Sequence, residues 1–158
     1  MDTVVATLNK LLETTKDGES GFRTCAGAVK NTELKTVFEG AARRCDEGAA
    51  ELQAKIRSLG TEPASSGTAR GARHRAWTNI KSSDHWHGRL PGMDEYGALT
   101  ECERGEDVAK LAYEEALMEE LPADVKAIVQ RQYEVVKADR DRIRNLRDLA
   151  FLGMVGWA

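Results

Sequence analysis

Apolar residues recur at three- and four-residue intervals through four long stretches of this chain, and the links between them are short, long and short. That pattern leaves few folds open. Helices joined by a turn of a few residues must pack as antiparallel neighbours. The roughly 34 residues from Gly60 to Met93 are enough to run back along a bundle. The spacing therefore predicts an all-α, single-domain four-helix bundle with one long crossover between helices 2 and 3, the ferritin-like arrangement, over residues 1–158.

The first helix is expected over about 3–29. At ~100° per residue, Val4, Leu8, Leu11, Leu12, Thr15, Phe22, Ala26 and Val29 form one stripe, with Glu19 near its centre. Asn31-Thr32 reads as a turn and N-cap. Helix 2, about 32–59, turns Leu34, Phe38, Ala41, Ala42, Cys45, Ala49, Leu52, Ile56 and Leu59 inward, and Gly60 and Pro63 stop it. Residues 60–72 have a Gly/Ser/Ala linker composition. A short helix is expected over about 74–81, with Trp77 and Ile80, followed by a turn region ending in Pro91-Gly92. Helix 3, about 94–121, buries Leu99, Cys102, Glu106, Ala109, Tyr113, Ala116 and Leu117, and Pro122 follows it. Helix 4, about 123–150, buries Val125, Ile128, Val129, Gln132, Val136, Asp139, Ile143 and Leu146. The apolar tail FLGMVGWA is expected to pack back on the bundle or on a partner, which makes a homo-oligomer one expectation.

Composition excludes several function classes. Charged residues make up 31% with both signs interspersed and a net charge of −3, so no basic stripe offers itself to nucleic acid. No apolar run approaches the ~20 residues of a membrane span, and the N-terminus lacks the basic and apolar regions of a signal peptide. Three cysteines, Cys25, Cys45 and Cys102, form no CxxC spacing and fall on apolar stripes, which suits core-filling thiols in a reducing, cytoplasmic setting. His74, His85 and His87 all fall in the crossover, where such residues are usually solvated or cap the bundle with their aromatics, adventitious Zn or Ni at His85-Trp86-His87 being the alternative. No phosphate loop, Ser-His-Asp set or Cys-His pair is present.

The chemistry-bearing feature is a dipeptide used twice, Gly18-Glu19 and Gly105-Glu106, each inside a helical stretch. A mid-helix glycine costs roughly 1 kcal/mol relative to alanine, and an inward carboxylate costs more unless it is neutralised. Counted from the helix ends, Glu19, Cys45, Glu106 and Asp139 fall at nearly one height. Three carboxylates and a thiol are thus expected to converge at mid-bundle. Arginine or protonation can neutralise such acids, with Arg23, Arg43, Arg44 and Arg140 as nearby bases and Tyr113 as a hydrogen-bond donor. The alternative is a single metal ion on Glu19, Glu106 and Asp139 with Cys45.

The stretches KDGESGF (16–22), HRAWTNIKS (74–82), ECERGEDVAKLAYEEAL (101–117) and RQYEVVKADRDRIRNLRD (131–148) resemble a bacterial family of ferritin-like four-helix bundles, domain-of-unknown-function family 2383. The resemblance implies the fold over nearly the whole chain and says little about activity, beyond an association with stress physiology by family analogy. Di-iron bundles carry single glutamates on two helices and Glu-x-x-His on the other two. Glu19 and Glu106 match the former, but Arg142 stands where helix 4 would need a histidine, and the four main helices contain none. The expected function is therefore that of a non-catalytic bundle acting through assembly or partner contacts, with a metal-binding or oxidoreductase bundle as the alternative.

Overall fold

The computed structural model describes residues 2–65 and 93–154, with the side chains of Met93, Asp94 and Met154 excepted. Four helices account for nearly all of this: α1 (Asp2–Ala28), α2 (Thr32–Ser58), α3 (Met93–Met118) and α4 (Ala123–Met154). The expected 74–81 helix, the three histidines, Trp77, Trp86 and residues 155–158 lie outside the described residues.

The sequence signals for the helix ends act as expected at both ends of α2. Asn31 caps it, its Oδ1 accepting from the backbone N–H of Glu33 at 2.9 Å and of Leu34 at 3.1 Å. A cap of this kind contributes about 1 kcal/mol. Gly60 follows the last turn at φ +87°, the left-handed conformation that glycine adopts without a Cβ penalty. Two boundaries differ from expectation. α3 ends at Met118 rather than Leu121, in a turn where the Glu119 N–H reaches back to the Ala116 carbonyl at 3.1 Å. Its last residues include no base to offset the helix dipole, and Glu119 and Glu120 add like charge there. α4 continues through Phe151 to Met154, where Phe151 meets Tyr96 of α3 with ring centroids 6.0 Å apart.

Packing fixes the direction of each helix. Late α1 (Phe22, Cys25, Ala26) shares one apolar cluster with early α2 (Leu34, Phe38), early α3 (Ala98, Leu99, Cys102) and late α4 (Ile143). Early α1 (Leu8, Leu11, Leu12) shares a second with late α2 (Leu52, Ile56), late α3 (Ala112, Tyr113, Ala116) and early α4 (Val125, Val129). α1 and α4 therefore run one way, and α2 and α3 the other. The end of α2 and the start of α3 lie at opposite ends of the bundle, so the link between them joins those ends. This is the one-crossover topology that the link lengths required.

The two clusters do not merge. Between them lies a band of polar residues contributed by all four helices. Thr15 Oγ1 donates to the Leu11 carbonyl at 2.7 Å and lies 3.2 Å from the Tyr113 hydroxyl. Tyr113 donates to Gln132 Oε1 at 2.7 Å, and Gln132 Nε2 donates to the Gly48 carbonyl at 3.2 Å. Each buried polar atom in this ring has a partner, which keeps its burial from being a net cost.

Candidate functional site

Helical registers decide which side chains enter the polar band. On α3, Leu99, Cys102, Glu106, Ala109, Tyr113 and Ala116 follow the alternating three- and four-residue steps of a packed seam, so Glu106 stands at its centre. Only 4% of its surface is exposed. On α1 the same steps pass through Leu8, Leu11, Thr15, Gly18, Phe22 and Cys25. Gly18, not Glu19, occupies the seam. Glu19 stands on the flank, its side chain 25% exposed, and pairs with Arg23 one turn on at 3.0 Å. The two Gly-Glu dipeptides are thus offset by one residue. In α3 the acid faces the core, and in α1 the glycine does.

The glycine has a steric reason to be there. A Cβ placed on Gly18 would lie 3.2 Å from Cys45 Sγ. The thiol of α2 occupies the space an α1 side chain would otherwise fill. Gly48, one turn further along α2, faces Gln132 and Thr15 in the same way, with Gln132 Nε2 3.6 Å from the position of its absent Cβ.

A cavity of about 330 Å³ opens at this height, and Gly18, Arg44, Cys45, Glu51, Glu106, Tyr113, Arg131, Gln132 and Asp139 are among its lining residues. That is the lower end of the range for small-molecule sites. Three of the four sequence-expected residues, Cys45, Glu106 and Asp139, line it together; Glu19 is not in the lining. Asp139 gives both oxygens to Arg44, with Nε–Oδ2 at 3.0 Å and Nη2–Oδ1 at 2.6 Å. This is a fork-to-fork pair between α4 and α2, well shaped for guanidinium and carboxylate. A second base, Arg131, reaches Glu51 at 2.7 Å.

Glu106 differs from these acids. Its Oε2 is buried and has no hydrogen-bond partner. Burial, and then the charge of Asp139, push its pKa up to about 8 against the opposing pull of Arg44. At neutral pH the carboxyl is mostly protonated. Cys45 is also pushed well above the usual thiol range, first by burial and then by Glu106, Asp139 and Glu19. It is a neutral thiol at neutral pH, a poor nucleophile. Burial raises Tyr113 to about 12, so it acts as a hydrogen-bond donor and not as a base.

Several residues here were not singled out from the sequence. Arg44 was one of several flanking bases, and only the structure selects it. Glu103 is buried and ion-paired with Arg147 of α4, although its place beside Leu99, Cys102 and Glu106 was a visible signal. Asp17 is buried on α1. Cys25 and Cys102, assigned separately to core filling, are in contact. Among the described residues, no group of three or more His, Cys, Asp or Glu side chains is arranged to hold a metal ion.

Fold and site together define an all-α four-helix bundle with a polar, carboxyl-bearing cavity at mid-height. The family model Domain of unknown function (DUF2383) matches residues 3–119, and the chain belongs to that family. The match ends just beyond α3, so Gln132 and Asp139 on α4 lie past it. No curated protein matches the chain.

Two expected outcomes follow from this geometry. The Glu106 pKa is higher in the folded than in the unfolded chain, so the folded state binds more protons between about pH 4.5 and 8. Stability attributable to this group is full below the unfolded pKa and is lost as pH rises through about 8. Glu106→Gln removes the ionisation. Its stability advantage over wild type, read by urea melts, should grow from near zero at low pH to the order of a few kcal/mol at high pH. A constant difference across pH would contradict the burial of this charge. The second outcome concerns Gly18. In a Cys45→Ala background, Gly18→Ala should stabilise the helix by up to about 1 kcal/mol. With Cys45 present the same change should be neutral or destabilising, because the thiol must move. Equal effects in both backgrounds would show that Cys45 does not fill that space.

Proposed function

We propose that the protein is a non-catalytic binding bundle that takes a small cation into its mid-bundle cavity, with Glu106 as the group that meets it. One observation carries this reading: a carboxyl oxygen buried in the cavity without a partner, where Asp139 and Glu51 already have arginines. The ionisable lining holds Glu47, Glu51, Glu106 and Asp139 against Arg44 and Arg131, an excess of two acids. A positive charge entering there replaces the proton on Glu106 and relieves the repulsion from Asp139. Two features support binding over catalysis. The thiol at the cavity is held protonated, and the bases within reach are committed to ion pairs.

The residues do not fit the dinuclear carboxylate centre found in ferritin-like bundles. Asp139 is committed to Arg44 and Glu19 to Arg23, and α1 to α4 contain no histidine. For the same reason, a single ion held jointly by Glu19, Glu106, Asp139 and Cys45 would require two ion pairs to open. A cation held at Glu106, beside the neutral thiol of Cys45, leaves both pairs intact.

The test is a set of thermal melts with chelator, with Zn(II), Mn(II) or Fe(II), and with a short alkyl diamine, which separates a metal from an organic ammonium. One class should raise the Tm of wild type by several degrees through mass action. Glu106→Gln should not respond. Calorimetry at pH 7 in buffers of different ionisation enthalpy should show nearly one proton released on binding. A response that persists in Glu106→Gln, or no response to any cation, overturns the reading.

A second reading, assembly through copies of this chain, is supported by the apolar residues α4 leaves exposed near its end, Leu149, Phe151 and Leu152. Sedimentation velocity should then show a dimer or larger species that Leu149→Lys/Leu152→Lys dissociates. A monomer at all concentrations removes this reading.

A further inference from the structure

We infer that Cys25 and Cys102 form an oxidisable dithiol, and that their disulfide staples the α1–α2 hairpin to the α3–α4 hairpin. Cys25 is on α1 and Cys102 on α3, 77 residues apart in sequence. Their sulfurs lie 2.7 Å from each other, and both residues are free thiols with 0% exposure. Both belong to the apolar cluster that includes Phe22, Phe38, Leu99 and Ile143. Cys25 Sγ also lies 3.8 Å from the Ala98 carbonyl oxygen. Two thiols side by side offer each other only weak hydrogen bonds. A covalent bond replaces that poor contact without bringing any charge into the core.

The position of the pair gives the bond its effect. Within each hairpin a short turn already holds the two helices together. Between the hairpins, the only covalent tie is the long link from Ser58 to Met93. A bond from α1 to α3 closes a large loop across that link, where a cross-link removes much of the freedom of the unfolded chain. Cys45 lies on α2 beside the cavity, with its sulfur against Gly18, and plays no part in the pair.

The oxidant is a low-molecular-weight disulfide, RSSR. One cysteine loses its proton to solvent, and its thiolate attacks a sulfur of RSSR, forming a mixed disulfide and expelling RS⁻, which takes up a proton to become RSH. The second cysteine attacks the protein sulfur of that mixed disulfide and releases the second RSH. Overall, the two protein thiols lose two electrons and two protons, and RSSR becomes two RSH. Both sulfurs are sealed in the docked bundle, and burial holds the Cys102 thiol well above its usual range, so thiolate is scarce there. Exchange therefore takes place while the hairpins are apart, during folding or opening, and docking then shields the bond from reductant.

The test is refolding of the full chain from denaturant in a buffer of oxidised and reduced glutathione, with fully reduced refolding as the control. Thiols counted after renewed denaturation should fall from three to one. Peptide mapping without reductant should recover Cys25 linked to Cys102. The oxidised protein should melt about 10 °C above the reduced form and resist reduction while folded. The gain should persist in Cys45→Ala and vanish in Cys25→Ala and Cys102→Ala. The mapping of wild type stands even if those two variants fold poorly. Three remaining thiols, a link that includes Cys45, glutathione retained on Cys25 or Cys102, or a Cys25–Cys102 bond with no rise in melting temperature would each overturn the inference.

Discussion

The seam between α2 and α4 is held by polar side chains, and the rest of the architecture depends on it. These two helices stand further apart than the other neighbouring pairs. The groups that bridge them are Arg44 to Asp139, Arg131 to Glu51, Lys55 to Asp124, and Gln132 to the Gly48 carbonyl. Long side chains can span a gap that alanine-sized contacts cannot. The gap they hold open is the cavity. The opposite seams close more tightly, α1 on α2 around Gly18 and α1 on α3 around the Cys25–Cys102 contact. The bundle is therefore splayed on one side, and Glu106, with its unpartnered Oε2, lines the cavity there.

Much of the fold was legible because link lengths and hydrophobic periods are properties of the chain itself. Asn31 and Gly60 marked the ends of α2 through capping chemistry that needs no tertiary partner. The crossover followed from two short links and one long one. The helix 3 and 4 ends were less well placed. Where α3 stops depends on how the acids after Met118 meet the helix dipole, and α4 lengthens because Phe151 finds Tyr96, a contact no local pattern announces.

The candidate site was legible in height but not in azimuth. Residue counting put Cys45, Glu106 and Asp139 in one layer, and they line one cavity. It also put Glu19 at a stripe centre, where a difference of one residue, about 100° around the helix, gives that position to Gly18. A stripe read from sequence averages over such offsets, whereas a seam between two helices does not. Which arginine of several would reach Asp139 depended on the α2–α4 separation, and so did the cavity. The approach of Cys25 to Cys102 needed the opposite knowledge, that α1 and α3 lie close. Periodicity assigns a residue to the interior; only the arrangement of helices assigns it a partner.

Glu106 shows what that distinction means for function. Apolar residues of similar size would pack the same position without a desolvation penalty, and a buried group without a partner costs on the order of 1–3 kcal/mol. The fold does not reduce this cost as it does for Asp139, whose charge is met by Arg44 from the facing helix. It leaves the carboxyl to a proton, and Asp139 nearby makes that proton harder to lose. A proton is the smallest cation that can occupy the place. Any larger cation that enters competes with it directly, so occupancy of the cavity, the ionisation of Glu106 and the stability of the bundle are linked through one equilibrium. That linkage needs neither movement of a helix nor the opening of either neighbouring ion pair.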